Sequence, residues 1–307
     1  MPDIVVVGSL NMDLVVQTAH LPARGETITG RDFVVIPGGK GANQAVAASK
    51  LGASIAMIGR VGTDDFGRSL CASLAQAGVN TARVHSDSVA TTGVALISVE
   101  DGGQNTIVVV PGANARVTPA DVDEAGEVIA SAKALIAQLE IPLTTVVHAL
   151  RVARAKQVLT VLNPAPAQVL DAEILELVDL LIPNETEASR MTGIQVNDWD
   201  SAERAARELN RLGAKTVVIT LGALGALVCE QDRVWRVPAF PVRAIDATAA
   251  GDAFVAALTI ARVQGRDWEI ALREASAAGA LTTTKLGAQP ALPTRVELEQ
   301  FLCGEKD

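Results

Sequence analysis

The chain has 307 residues, 49% of them hydrophobic, and carries a net charge of −9 with a pI near 5.0. That is enough apolar sequence for a large buried core, and the acidic balance, with no basic run, argues against a nucleic-acid partner. No apolar run reaches the length that spans a membrane, and the N-terminal MPDIVVVGSL has no basic n-region, so neither a membrane segment nor a signal peptide is expected.

In chain order, Ile4–Val7 reads as a short buried strand. The alanine-rich stretch Ala42–Leu51 reads as a helix ending at Gly52, Ile55–Ile58 as a strand, and Phe66–Ala77 as a helix closed by Gly78. Ala134–Leu139, Thr160–Leu162, Leu180–Ile182 and Thr216–Thr220 follow as short strands with helical stretches between them. Continuous apolar strands separated by helices predict an α/β fold, with a mostly parallel sheet covered by helices on both faces. Three stretches break that rhythm. Asp13–Thr18, Gly93–Glu100 and Asn105–Val110 read as strands with no helix between, and Asp101-Gly102-Gly103-Gln104 joins the last two as a hairpin. These pieces predict a small β-sheet lid, with strands within about residues 11–37 and 91–111. No linker or composition break separates them from the rest, so residues 1–307 read as a single domain.

Cys71, Cys229 and Cys303 are far apart and odd in number, which suggests reduced thiols in a cytoplasmic protein. His20, His85 and His148 have no metal-ligand spacing. Aromatic content is 3% with no Tyr, so stacking platforms for bases are not expected. There is no G-x-x-x-x-G-K-[ST] loop, and no G-x-G-x-x-G follows the first strand.

The chemistry-bearing stretches begin with RAIDATAAGDAFVAAL, Arg243–Leu258, where small residues lead into a helical pattern. The first turn of a helix leaves N–H groups unpaired and favours an anion, and Asp252 in that turn could accept a proton from a hydroxyl attacking a phosphate. The same pattern also fits an ordinary helix start with an acidic first turn. PGGKGANQAVAA, Pro37–Ala48, sets Gly38 and Gly39 for close backbone approach and Asn43 and Gln44 as amides suited to hydroxyls; it also fits a plain turn before a helix. GSLNMD (8–13), PNETE (183–187) and TLGALG (220–225) each follow a strand. All of these clusters fall at the same end of the sheet, where open α/β sheets bind ligands.

Taken together and in order, GSLNMD, GGKGANQAVAA, NPAP, PNETE, TLGALG, AAGD and GAQPALP resemble the ribokinase family of carbohydrate and nucleoside kinases over nearly the whole chain. GGKGANQ and Leu139-Glu140 resemble its ribose-specific members most. The resemblance implies a doubly wound α/β domain with a β-sheet lid, and ATP-dependent phosphorylation of D-ribose on O5 to ribose 5-phosphate. It implies sugar contacts from Asn11, Asp13, Gly39, Lys40, Asn43 and Glu140. It implies ATP contacts from Asn184, Thr220, Leu221, Gly222, Gly225, Gly251 and Ser276, and Mg²⁺ organised by Glu187 through water. Ala249, Ala250 and Gly251 would form an anion hole beside the base, Asp252. A K⁺ site would use Asp246, Thr248, Thr282, Lys285, Gly287 and Ala291, mostly through carbonyls. Ala247 and Ala291 stand where relatives often carry Thr and Ser, which bears on that cation site. The alternatives are a kinase for 2-deoxyribose, a ketohexose or a nucleoside, or a non-catalytic sugar-binding regulator. Asp13, able to accept two hydroxyls, favours ribose over deoxyribose, and the intact Asp252 argues against the regulator. Apolar residues on both faces of the lid strands suggest a homodimer joined through the lids.

Overall fold

The first strand is buried on both sides. Ile4 and Val6 enter one apolar layer, and Val5 and Val7 enter the other. A strand with no solvent face belongs in the middle of a sheet with helices above and below. Each such side chain contributes about 1.5–3 kcal/mol when buried, which makes this strand a rigid reference for the loop that leaves it.

The computed structural model describes residues 1–102 and 104–304. In chain order the strands are β1 (Ile4–Val7), β2 (Asn11–Thr18), β3 (Asp32–Gly38), β4 (Ile55–Gly62), β5 (Asn80–Asp87), β6 (Gly93–Glu100) and β7 (Asn105–Val110). They continue with β8 (Ala134–Ala137), β9 (Leu159–Leu162), β10 (Leu180–Leu181), β11 (Thr216–Thr220), β12 (Gly225–Glu230) and β13 (Arg233–Pro238). A nine-stranded sheet runs in the order β13-β12-β11-β10-β9-β8-β1-β4-β5. From β5 across to β11 the pairs are parallel, and β12 and β13 are added antiparallel. The winding reverses at β1. The chain builds β4 and β5 on one side of it, then β8 to β13 on the other, leaving a crevice where the loops after β1 and β8 diverge.

The lid is a separate four-stranded sheet, β3-β2-β6-β7, within the spans expected for it except that β3 ends at Gly38. The pairing of β6 with β7 is the expected hairpin; Gly103 in its turn lies outside the described residues. Val108, Val109 and Val110 are adjacent and all exposed, so both faces of β7 stand open.

Two alanine-rich helices, Lys40–Lys50 and Ala250–Val263, pack against each other in one of the two apolar layers. Ala42, Ala45 and Ala48 on the first and Ala253, Ala256 and Ala257 on the second are buried. Side chains this small let helix axes come close, so short amides on one helix reach the other.

Four strands go beyond the sequence reading. β3, β5 and β13 sit at sheet edges and carry charged or polar residues among the apolar ones, which blurs their period. β12 starts at Gly225, the last residue of the TLGALG cluster that follows β11. Ala134–Leu139 ends as a strand at Ala137, because Gln138 onward turns into the crevice, and Asp13–Thr18 starts earlier, at Asn11.

Candidate active site

The crevice between β1 and β8 is lined from both sides. Asn11 and Asp13 sit two residues apart on β2 and so share a face; both are buried. Gly38 pairs opposite Asn11, and a Cβ there would lie 2.2 Å from Asp13 Oδ2, so only glycine leaves that carboxylate its place. Gly39 has φ +88° and a Cβ on it would lie 2.6 Å from the Asn11 nitrogen, so the turn into the Lys40–Lys50 helix also requires glycine. Glu140 leaves β8 and accepts through one oxygen from Ser9 Oγ (2.5 Å) and the Lys40 N–H (3.1 Å). Asn11 Oδ1 accepts from Asn114 Nδ2 at 2.7 Å, which leaves its own amide N–H groups to donate elsewhere.

Asp252 stands in the first turn of the Ala250–Val263 helix and is buried. Asn43 Nδ2 donates to its Oδ2 at 3.0 Å, and Gln44 Nε2 donates to its Oδ1 at 2.9 Å. The helix is capped by Ala249 in the left-handed region, φ 61° and ψ 6°. An alanine there costs about 1–2 kcal/mol, and a left-handed residue next to helical ones is the backbone pattern from which anion nests are built. Gly251 is exposed, and a Cβ on it would meet nothing within 4 Å. The Ala250 N–H is given to the Ala247 carbonyl at 3.2 Å and must leave it to serve a ligand.

Of the residues read as a cation loop, Asp246, Thr248 and Gly287 come together. Asp246 Oδ1 accepts from the N–H and hydroxyl of Thr248, its Oδ2 accepts from the Gly287 N–H (2.9 Å), and its own N–H donates to the Thr283 carbonyl. The Thr282 hydroxyl donates to the Ala278 carbonyl, and Lys285 Nζ, itself a cation, donates to Glu297, so Lys285 would serve a cation only through its main-chain oxygen. Ala291 is buried in the same loop.

On the far side, Asn184 caps the Glu185–Thr192 helix and exchanges hydrogen bonds with Glu187, occupying both Glu187 oxygens at 2.9 and 3.1 Å. Asn184 bridges to Thr220 at the end of β11, where Leu221 and Gly222–Leu224 turn tightly into Gly225. Ser276 Oγ is buried without a hydrogen-bond partner among the described residues. It lies one turn from Gly279, which packs against the Ala250 carbonyl.

A family model for pfkB carbohydrate kinases matches residues 1–295. The chain belongs to the pfkB family. It is 42% identical to a ribokinase of Haemophilus influenzae, with 97% of each chain covered. It is also 37% identical to a deoxyribokinase of Salmonella typhi, with 98% of each covered. A solved structure of Arabidopsis thaliana ribokinase complexed with ribose and ATP superposes with TM-score 0.91 at 33% identity, covering 98% of each chain. This pfkB chain is therefore a carbohydrate kinase on the ribokinase-like fold, as its motifs suggested.

The electrostatics of this pfkB site centre on Lys40. Burial alone would lower the Lys40 pKa, but Asp252, Glu140, Glu187 and Asp13 around it outweigh burial and hold it above its ordinary value. Burial raises Asp252, against Lys40 and the Asn43 and Gln44 amides. Burial likewise raises Glu187, against the Asn184 N–H and Lys40. Burial, with Glu140 and Asp252 adding, pushes Asp13 up to about 7. For Asp246 burial works upward too, but the bonds from Thr248 and Gly287 outweigh it and hold the carboxyl low. Sequence reasoning missed Ser9 and Asn114, which orient Glu140 and Asn11; Asn114 lies in a Gly-Ala-Asn stretch after the lid that carries no charge to draw notice.

Asp13 supplies a pH test. Its ordinary pKa is 3.8 and its folded value about 7. Between those values the folded chain keeps a proton that the unfolded chain loses, so this group's contribution to stability falls as pH rises through the window. Asp13→Asn should raise the melting temperature of the sugar-free protein at pH 8 by about 2 °C or more, with a smaller gain at pH 5 and weaker ribose binding at both. A variant no more stable than wild type at pH 8 contradicts the assignment.

Proposed function

We infer that this chain transfers the terminal phosphoryl group of ATP to O5 of D-ribose, with Asp252 as the general base. The observation that carries the reading is a buried carboxylate, held by two amides, in the first turn of a helix that starts at a left-handed Ala249 and an exposed Gly251. Support for a sugar comes from Asn43, whose Oδ1 is buried with no donor among the described residues and suits a hydroxyl. Asn11, Asp13, Gly39, Lys40 and Glu140 surround the remaining hydroxyls. Asp252 accepts the O5 proton as the O5–phosphorus bond forms. The bond to the bridging oxygen breaks, and ADP leaves with its electron pair. Charge on the transferring group meets Lys40 and the N–H groups of Ala249–Gly251. Asn184, Thr220–Gly225 and Ser276 hold the nucleotide.

Among the described residues no group of three or more His, Cys, Asp or Glu could hold a metal ion alone, and Glu187 is committed to Asn184. Glu187 is the residue that would hold a Mg²⁺ here, through water, and the ion would neutralise phosphate charge. The Asp246 loop fits K⁺, whose role is to fix the backbone donors next to it.

The deoxyribokinase relative keeps 2-deoxyribose as the second reading. Losing one hydroxyl partner from a buried acceptor costs about 1–3 kcal/mol. Ribose should therefore exceed 2-deoxyribose in kcat/KM by about tenfold or more, read by ADP release across ribose, 2-deoxyribose, fructose, adenosine and cytidine. The same assay should run faster in K⁺ than in Na⁺ or choline buffer. A higher kcat/KM for deoxyribose or a nucleoside overturns the substrate, absence of ADP release with every sugar supports the regulator, and indifference to K⁺ overturns the cation site.

Homodimerisation through the lids follows from their apolar surface. By register Phe33, Val35, Leu96 and Val108 share one face of the lid sheet while Val34 and Ile107 lie on the Asp13 face, and each is more than two-fifths exposed, apolar surface of the kind that marks an interaction site. A two-fold pair would cover it with a copy of itself. No helix among the described residues is long and apolar enough to cross a membrane, and the free cysteines suit a reducing, cytoplasmic setting. Light scattering should give a dimer at micromolar concentration and a monomer for Val108→Asp; a monomeric wild type contradicts the lid interface.

A further inference from the structure

Behind Asp252 lie three amides with no part in the reaction described above. Gln44 and Gln138 are fully buried and Asn163, which opens the NPAP motif, is 9% exposed. Buried amides are costly unless each atom finds a complementary partner. Here the partners form a directed chain that leaves only Gln138 Oε1 without a donor among the described residues. Asn163 Nδ2 donates to the Ile182 carbonyl at 2.9 Å, which turns its Oδ1 toward Gln44. Gln44 Nε2 donates to that oxygen at 3.2 Å and to Asp252 Oδ1 at 2.9 Å. Gln44 Oε1 accepts from Gln138 Nε2 at 2.6 Å.

The direction of each amide is forced. A flipped Gln44 would set its oxygen against the oxygens of Asn163 and Asp252 and its nitrogen against a nitrogen of Gln138. Gln138 follows β8, Asn163 follows β9 and Ile182 follows β10, so the chain ties the base to three neighbouring strand ends of the sheet. Asn43 holds the other Asp252 oxygen from the side of the sugar residues.

We propose that Gln44 is a positioning residue for phosphoryl transfer: clamped by Gln138 and Asn163, it fixes the Asp252 carboxylate so that Oδ2, on the Asn43 side, faces the sugar hydroxyl. The inference rests on the reading of Asp252 as the base. Gln44 also donates only to the ionised carboxylate with full effect, which keeps the base charged in a site that resists charge. The groups facing Asp252 are Lys40 from the neighbouring helix, Glu140 after β8, Asp13 on β2 and Glu187 on the Glu185–Thr192 helix. Of these only Lys40 is cationic, so the amides supply the remaining support for the charge.

Two variants and a control test this, with kcat and KM followed from pH 5 to 9. Gln44→Glu is nearly isosteric and keeps an acceptor for Gln138, but it sets a second carboxyl against Asp252, and the two share one proton. The acidic limb of kcat should move up by about one pH unit or more, with a loss of about tenfold or more at pH 7 that recovers toward pH 9. KM for ribose should stay within about threefold, since Gln44 does not touch the sugar. Gln138→Met, which frees Gln44 without adding charge, should shift the limb the same way by less, and it carries the test if Gln44→Glu does not fold. Asp252→Asn is the control. If it keeps wild-type kcat, the base reading fails and this inference fails with it. If it is inactive while the Gln44 and Gln138 variants lose the same factor at every pH, or lose nothing, the positioning role alone is overturned.

Discussion

The Asp252 carboxylate is buried at the start of an alanine-rich helix, and burial favours its neutral form. Read as the general base, Asp252 has to be ionised before it can take a proton, so the surroundings must offset that tendency without filling the space in front of it. The offset comes from Lys40, from the amides of Asn43 and Gln44, and from the partial positive charge of the helix start. Too little support would leave the base protonated at neutral pH. Too much would make it a poor acceptor. Four carboxylates around one lysine show how closely the two demands are set against each other, and why burial drives Asp13 up to about 7 in the sugar-free protein.

The fold supplies the distances that this balance needs. Parallel strands end together, and the reversal of winding at β1 opens a crevice between its loop and that of β8. Two helices packed through alanines bring Asn43 and Gln44, on one, within hydrogen-bond reach of Asp252 on the other. The glycines at 38 and 39 then let the lid strands come down beside the helix start without colliding with Asp13 or the Asn11 backbone. Of the three described non-glycine residues in the left-handed region, Gln157, Gln231 and Ala249, the last caps the helix that carries Asp252.

Much of this is legible in the sequence, for identifiable reasons. Strands with no polar face, such as Ile4–Val7, announce a parallel sheet because nothing else buries both sides. Glycine clusters after those strands announce close backbone approach. The AAGD stretch alone also fits an ordinary helix start, and it becomes readable only beside the other clusters at the same end of the sheet. What stays hidden depends on pairing across long separations. Edge strands β3, β5 and β13 carry polar residues that only their place in the sheet explains. Asn114 reaches Asn11 across 103 residues, and Gln44 reaches Asn163 across 119. An amide has no charge or periodicity to mark it, so its partner becomes visible only when the chain is folded.

The central claim is that Asp252 moves the proton and does not merely bind the sugar. The direct measurement is single-turnover phosphoryl transfer by Asp252→Asn, with ribose affinity measured on the same protein by calorimetry. Asparagine keeps an acceptor for the ground-state hydroxyl but cannot take its proton. The transfer rate should fall by about 10²–10⁴ while ribose affinity stays within about tenfold of wild type. Transfer at more than about a tenth of the wild-type rate, with affinity intact, would contradict the account.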